Sequence, residues 1–242
     1  KLKEITQMGV ELIGDLSVMA DAEMVHLAVS SLKEAGLKEF QVRIGEIGFF
    51  KGICEEAKLH EETEMNLREF ISAKNYFGAE ELLSKQCQLK PAKIETFLKV
   101  TELFGSSEVL DDALELVDNK RSREAIIRLK QLYELLKMYG DEKYISFDLG
   151  LVSKYHYYTG IIFKGYTYGV GDAVVTGGRY DRLLSYFGKD AAAIGFAVNT
   201  DGLMQALASR KLEQEVLPRT TMLLYEENVI KEAIRYACEF RK

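Results

Sequence analysis

The sequence is short of the residues that mark several protein classes. Among 242 residues there are three cysteines, Cys54, Cys87 and Cys238. None forms a CxxC pair, so the pattern is that of reduced thiols in a cytoplasmic protein rather than a disulfide or thiolate-metal framework. The three histidines, His26, His60 and His156, are too dispersed for a sequence-local metal site, and no metal or other cofactor is expected. His60-Glu61-Glu62 begins like a metal motif but lacks a second histidine four residues on, so it reads as a solvated helix start. No apolar run approaches the roughly 18 residues of a membrane span, and no signal-peptide pattern opens the chain. Positive charge is also scarce: Lys and Arg total 32 against 38 Asp and Glu, a net charge of −6. That balance argues against general nucleic-acid binding, because phosphate contacts need clustered cations. The densest basic cluster, Arg121, Arg123, Arg128 and Lys130, reads as a solvated helix face.

Apolar residues, by contrast, make up 47% of the chain, enough for one large domain or one domain and part of another. Residues 6–14 alternate and end on glycine, as a half-buried strand does. Gln7 and Glu11, four apart, share one face of it. On spacing alone they are a solvent-facing polar row. Residues 21–36 read as a helix with Asp21 as its cap and Gly36 as its stop. Phe40, Val42 and Ile44 alternate in the next strand, over 39–45. From 48 to 140 the periodicity is helical throughout, with pieces at 64–74, 79–87, 91–104 and 121–139. Pro91 suits a first turn, and Leu129, Leu132 and Leu136 make an apolar stripe.

Strand character returns at 143–149 and leads into the densest stretch, 147–181. Tyr157-Tyr158-Thr159-Gly160 runs into the apolar Ile161-Ile162-Phe163, a strand. Gly169-Val170-Gly171-Asp172 is a turn, not a dinucleotide site, since it lacks the third glycine and precedes no helix. Gly177-Gly178-Arg179-Tyr180-Asp181 then places two glycines, where backbone can pass close to a neighbour, directly before polar side chains. A short helix is expected over 180–187, a small-residue strand over 191–199, and a helix capped by Asp201 over 201–210. Residues 211–219 read as a linker, 221–226 as a strand and 227–242 as a helix.

The Tyr-Tyr-Thr-Gly and Gly-Gly-Arg-Tyr-Asp motifs, in this order and spacing, resemble the histidine-binding core of the histidyl-tRNA synthetases. The resemblance spans nearly the whole chain. It implies an α+β fold: a class II aminoacyl-tRNA synthetase-like antiparallel sheet flanked by helices over residues 1–210, with a helical insertion at about 48–140. Residues 220–242 would begin a small C-terminal α/β domain like the family's anticodon-binding domain. In the family a long segment precedes this point, carrying a dimer-forming first motif and an arginine-bearing second-motif loop, so the sequence is expected to be a fragment. The resemblance also implies a histidine pocket formed by Gln7, Glu11, Tyr157, Tyr158, Gly177, Gly178, Arg179 and Tyr180.

The family pattern departs at two places. After Leu151 and Val152, Ser153 stands where the family has the arginine taken to promote carboxylate activation by ATP. Gly195-Phe196-Ala197 keeps the third class-defining motif, but the family's following glutamate-arginine-leucine has become Asp201-Gly202-Leu203. Both losses remove a cation from the same chemistry. A synthetase pattern damaged in this way, with its Gly-Gly-Arg-Tyr-Asp motif intact, looks like the ATP phosphoribosyltransferase regulatory subunits, synthetase-like proteins recruited to histidine biosynthesis. That resemblance implies a chain without catalytic residues. It implies as partners the short-form catalytic subunit, a second copy in a dimer, and L-histidine as effector, within a hetero-octamer of four regulatory and four catalytic chains. An active synthetase and a dead paralogue serving only as a dimerising module are the alternatives.

Overall fold

The computed structural model describes residues 4–151, 157–212 and 223–240. The chain divides into two compact units, Lys1–Leu212 and Glu213–Lys242.

The first unit is built on a seven-stranded sheet. The strands are β1 (Gln7–Ile13), β2 (Phe40–Glu46), β3 (Phe104–Gly105), β4 (Ile145–Asp148), β5 (Ile161–Thr167), β6 (Val175–Arg179) and β7 (Ala193–Asn199), in the spatial order β1-β7-β6-β5-β2-β4-β3. Neighbours are antiparallel except β2 and β4, which run parallel. The purely antiparallel sheet expected from the sequence is therefore a mixed one. A parallel pair cannot be joined by a hairpin, and this is why a long helical segment separates β2 from β4 in the chain. It comprises α2 (Ile47–Glu56), α3 (Glu61–Ser72), α4 (Tyr76–Glu81) with a π-helical turn at Leu82–Gln86, α5 (Pro91–Val100), β3, α6 (Val109–Leu116) and α7 (Lys120–Tyr139). The expected all-helical insertion thus contains a two-residue strand at its middle, paired with β4.

The alternation read in the sequence decides which way the sheet faces. Val42 and Ile44 of β2, Phe147 of β4, Phe163 of β5 and Ile194 of β7 are fully buried or nearly so. They meet the apolar stripes of α7 and of α1 (Val18–Glu34), where Val25, Ala28, Val29 and Leu32 join Ile126, Leu129, Leu132 and Leu136 in the core. Such stripes, recurring every three to four residues, are what a helix needs to cover a sheet. Asn119 caps α7 by accepting from Ser122 N–H at 2.8 Å, and Gly140 ends it with φ of 75°, a left-handed conformation that glycine adopts without strain.

Two expected caps are corrected. Ser17, not Asp21, caps α1, its hydroxyl accepting from Ala20 N–H at 3.1 Å. Asp21 lies one turn inside, fully buried, where Arg128 of α7 and Arg179 of β6 reach it. Asn199, not Asp201, caps α8 (Thr200–Ser209), accepting from Gly202 N–H at 3.1 Å, while Asp201 accepts from Thr6 N–H. The helix expected over 180–187 is a 3-10 turn at Leu184–Phe187 only, with Tyr186 and Phe187 exposed. The basic cluster of α7 is a bracket rather than a free face. Arg121 pairs with Glu55, Arg128 with Asp21 and Lys130 with Asp111, and Arg123 donates to the carbonyls of Leu114 and Val117.

In the second unit a 3-10 turn at Glu227–Val229 precedes α9 (Ile230–Phe240). Leu223–Glu226 forms no strand, contrary to expectation, and Thr221 and Met222 lie outside the described residues. The described part of this unit holds no second strand to complete a ladder, and a lone strand has nothing to bond to. No helix among the described residues is long and apolar enough to cross a membrane.

Candidate functional site

The face of the sheet turned away from α1 and α7 is open. Period-two alternation puts Gln7 and Glu11 of β1, Gly195 and Ala197 of β7, Thr176 and Gly178 of β6, and Ile162 and Lys164 of β5 on it. The registers Glu11↔Gly195, Ala197↔Thr176, Gly178↔Ile162 and Thr176↔Lys164 set them side by side. Over them lies a cavity of about 520 Å³, bordered by Gln7, Glu11, Tyr157, Tyr158, Gly177 and Tyr180 of the expected residues.

The Gly-Gly-Arg-Tyr-Asp segment is split by the same alternation. Tyr180 turns to the cavity, where its hydroxyl donates to Glu11 Oε2. Arg179 turns to the opposite face and is buried. It donates to Asp21 Oδ1 at 2.8 Å, to the Asp15 carbonyl at 2.9 Å and to Asp181 Oδ1 at 3.0 Å. Arg179 therefore does not border the cavity, and of the other residues expected there Gly178 is also kept from it. An arginine between a helix carboxylate and a loop carbonyl holds the site's floor instead of touching its contents. Asp181 is likewise internal: its carboxylate accepts from Thr159 Oγ1 at 3.0 Å and from Ala193 N–H at 3.3 Å. With Thr159 N–H donating to the Arg179 carbonyl at 2.8 Å, these bonds clamp the Tyr157–Tyr158 segment, which leads into β5, to the end of β6.

The glycines make the space. A Cβ on Gly178 would come within 2.7 Å of the Tyr158 ring, so Gly178 lies beneath that ring and is screened from the cavity. A Cβ on Gly177 would stand 2.5 Å from the Phe163 ring on the buried side. Tyr157 packs on Tyr158 with ring centroids 4.5 Å apart and meets Tyr180 edge-on at 6.0 Å. The result is a wall of three phenols facing one carboxylate. Partial burial raises the Glu11 pKa above its ordinary value. A cation placed beside Glu11 would offset that cost of ionisation.

Sequence reading missed Gly195, Lys164 and Ser72 as parts of this site. Gly195 was legible only as a motif residue, yet a Cβ on it would lie 1.7 Å from Glu11 Oε2, so it is the vacancy into which Glu11 folds. Lys164 follows from counting two residues on from Ile162 along β5. Ser72 comes from the end of α3, and no local signal places that helix end against the sheet. Of the two departures from the resembled pattern, Ser153 lies outside the described residues. Gly202 sits in the first turn of α8 and offers only backbone.

A family model described as histidyl-tRNA synthetase matches residues 1–203. The ATP phosphoribosyltransferase regulatory subunit of Acetivibrio thermocellus is 40% identical over 242 residues, covering all of this chain and 58% of the relative. That of Thermoanaerobacter pseudethanolicus is 41% identical over 244 residues, covering 63% of the relative. The chain therefore spans about three fifths of the length of the curated relatives it matches. Among solved structures, a Bacillus halodurans protein described as an ATP phosphoribosyltransferase regulatory subunit/histidyl-tRNA synthetase superposes with a TM-score of 0.80 at 35% identity, over 98% of this chain and 60% of that one. An ATP phosphoribosyl transferase complex from Thermotoga maritima shares the fold, with a TM-score of 0.61 at 20% identity over 79% of this chain.

Proposed function

Because the chain belongs to the histidyl-tRNA synthetase family, we propose that it serves not as a synthetase but as part of a regulatory subunit of ATP phosphoribosyltransferase. In that role it would bind the short-form catalytic subunit, which joins ATP to phosphoribosyl pyrophosphate, and relay histidine feedback to it. The observation that carries this reading is the run of relatives of that name, 34–41% identical over most or all of the chain. Gly202 supports it, since a glycine at that position supplies no cation for a polyanionic nucleotide, and Ser153 does so in sequence.

The cavity suits histidine as effector. An amino acid brings an ammonium group, and Glu11 is the carboxylate placed to accept from it. A ligand cation would lower the cost of ionising a partly buried Glu11, so binding and ionisation favour one another. Gln7 and the hydroxyls of Tyr157, Tyr158 and Tyr180 are neutral groups suited to the carboxylate and ring nitrogens. Arg179 is a positioning residue here, fixing the Tyr180 backbone from below. Feedback then requires that histidine bind two states of the complex with different affinities.

The test is twofold. The intact protein should co-purify with a short-form catalytic subunit and raise its turnover, with histidine reversing the effect. It should also show no histidine-dependent exchange of pyrophosphate into ATP. Exchange at synthetase-like rates would favour the one other reading with an observation behind it, an active synthetase, which the intact tyrosine and Gly-Gly-Arg-Tyr-Asp segments support.

A further inference from the structure

The strand directions gather cations and aromatic rings at one end of the sheet. β2 and β4 run parallel and β5 runs antiparallel to β2, so the starts of β2 and β4 lie beside the end of β5. A hollow of about 520 Å³ sits there. Lys38 and Glu39 border it before β2, Lys143 and Tyr144 before β4, and Tyr166 and Tyr168 at the end of β5.

The rings are held in place by the chain itself. Tyr144 stacks on Phe40, with centroids 4.5 Å apart and planes 5° from parallel. Lys143 Nζ lies 4.8 Å from the Tyr144 centroid and Lys33 Nζ 5.4 Å from it. Arg43, opposite Ser146 in the register of β2 with β4, has its Cζ 4.8 Å from the centroids of both Tyr166 and Phe104. Arg210 stands 5.5 Å from the centroid of Tyr168. Such cation–π contacts fix ring and cation together, so little side-chain freedom remains to be lost on binding.

The bonding groups around the hollow are out of balance. Its one carboxylate, Glu39, is paired with Arg210, and the Glu39 carbonyl accepts from Thr167 Oγ1 at 2.8 Å. The exposed ammonium groups of Lys38 and Lys143 are in no ion pair among the described residues, and the phenols of Tyr144, Tyr166 and Tyr168 make no hydrogen bond there. The charged acceptor is taken while the donors are not, so the surface fits a partner that brings acceptors and negative charge. Nucleic acid brings both, but its bases bind by stacking on open rings, and each of these three rings already carries a cation of this chain. Two lysines are also few for a row of phosphates. Carboxylates need only the ammonium and hydroxyl donors. Tyrosine with arginine beside it is moreover the composition that anchors protein interfaces.

We propose that this end of the sheet is a docking surface for an acidic segment of a partner protein, its carboxylates received by Lys38, Lys143 and the neighbouring phenols. It is separate from the Glu11 cavity and does not rest on the function proposed above. The probe is a fluorophore-labelled hexaglutamate peptide, titrated into the intact protein and read by fluorescence anisotropy at low ionic strength, with a single-stranded oligothymidylate bearing the same fluorophore as the second arm. Hexaglutamate should bind saturably with a Kd below about 1 mM, and less tightly as salt is raised. Lys38→Glu with Lys143→Glu should weaken it about ten-fold or more, and Lys38→Gln with Lys143→Gln, which removes the charges without reversing them, about three-fold. Lys85→Glu with Lys120→Glu makes the same change in net charge at exposed lysines elsewhere, and should change binding less than about two-fold. Absence of saturable hexaglutamate binding would overturn the proposal. So would equal losses in the two charge-reversed proteins, both folded by circular dichroism, or tighter binding of the oligothymidylate that is lost on reversing Lys38 and Lys143.

Discussion

The two faces of the sheet carry polar residues to opposite ends. On the helix-covered face, Arg128 and Arg179 are matched by Asp21 and Asp181, a set closed on itself by its own ion pairs. On the open face, Glu11 borders a cavity and keeps an acceptor oxygen for what enters it. The same alternation supplies both sets, often from one strand: Arg179 and Tyr180 are neighbours in sequence and point to opposite sides. A charge under α1 and α7 therefore acts on folding, whereas a charge on the open face acts on binding. Substitutions can test that division directly.

The largest effect should come from Arg179→Met. Removing one member of a buried charge set leaves Asp21, which is 0% exposed, short of a partner. The expected loss is about 3–5 kcal/mol of stability, seen as a lower denaturation midpoint in urea. A loss of histidine binding without a loss of stability would put Arg179 functionally on the open face and break the comparison.

Glu46 tests the same face through pH. It ends β2, and its carboxylate accepts from Phe49 N–H at 3.0 Å to cap α2. Burial raises its pKa from 4.5 to about 7, against the lowering effect of its backbone bonds. A raised folded-state value means that the folded chain holds the proton more tightly than the unfolded chain. Glu46 therefore contributes stability that is fully present below pH 4.5 and is lost as pH rises through 7. Over that window the loss is up to about 3 kcal/mol. Glu46→Gln keeps the acceptor and cannot ionise, so its stability should fall less between pH 5 and pH 8 than that of wild type in paired urea titrations. Parallel pH profiles would refute the assignment.

On the open face, Glu11→Ala should cost about 1.5–3 kcal/mol of histidine affinity, ten-fold or more, while stability stays close to wild type. Calorimetry of both proteins reads the first quantity and urea denaturation the second. Equal affinity would move histidine out of this cavity. The smallest effect belongs to a pair on neither face. Arg121 and Glu55 are both exposed, and Arg121→Ala should change stability by less than about 1 kcal/mol in a thermal melt. A larger loss would show that the α7 bracket holds the insertion against the sheet more firmly than exposed pairs do.

Much of the site was legible beforehand because strand alternation is a local property. Gln7 and Glu11 share a face at any register, and the tyrosines and glycines sit in a motif whose order is readable. Arg179 was misplaced for the same kind of reason. A motif names residues together, whereas a strand sends its odd and even members to opposite sides. The caps at Asp21 and Asp201 failed because a carboxylate near a helix start is a good cap only if nothing stronger claims it. Asp21 is claimed by two arginines distant in sequence, and Asp201 by the N–H of Thr6.

By itself, then, the sequence determined the β1 alternation, the helical character of the stretch before α7, the stripes of α1 and α7, and the presence of a tyrosine- and glycine-rich site. Each follows from side-chain periodicity or backbone freedom within a few residues. Only the tertiary structure decided that β2 and β4 run parallel, that β3 joins them, and that Gly195 opens room for Glu11. It also decided that Arg43 stands between Phe104 and Tyr166 beside Ser146. These are relations between residues that are far apart in the chain. They are set by which strands pair and in what register, because pairing across the sheet, not proximity along the chain, brings those side chains within reach.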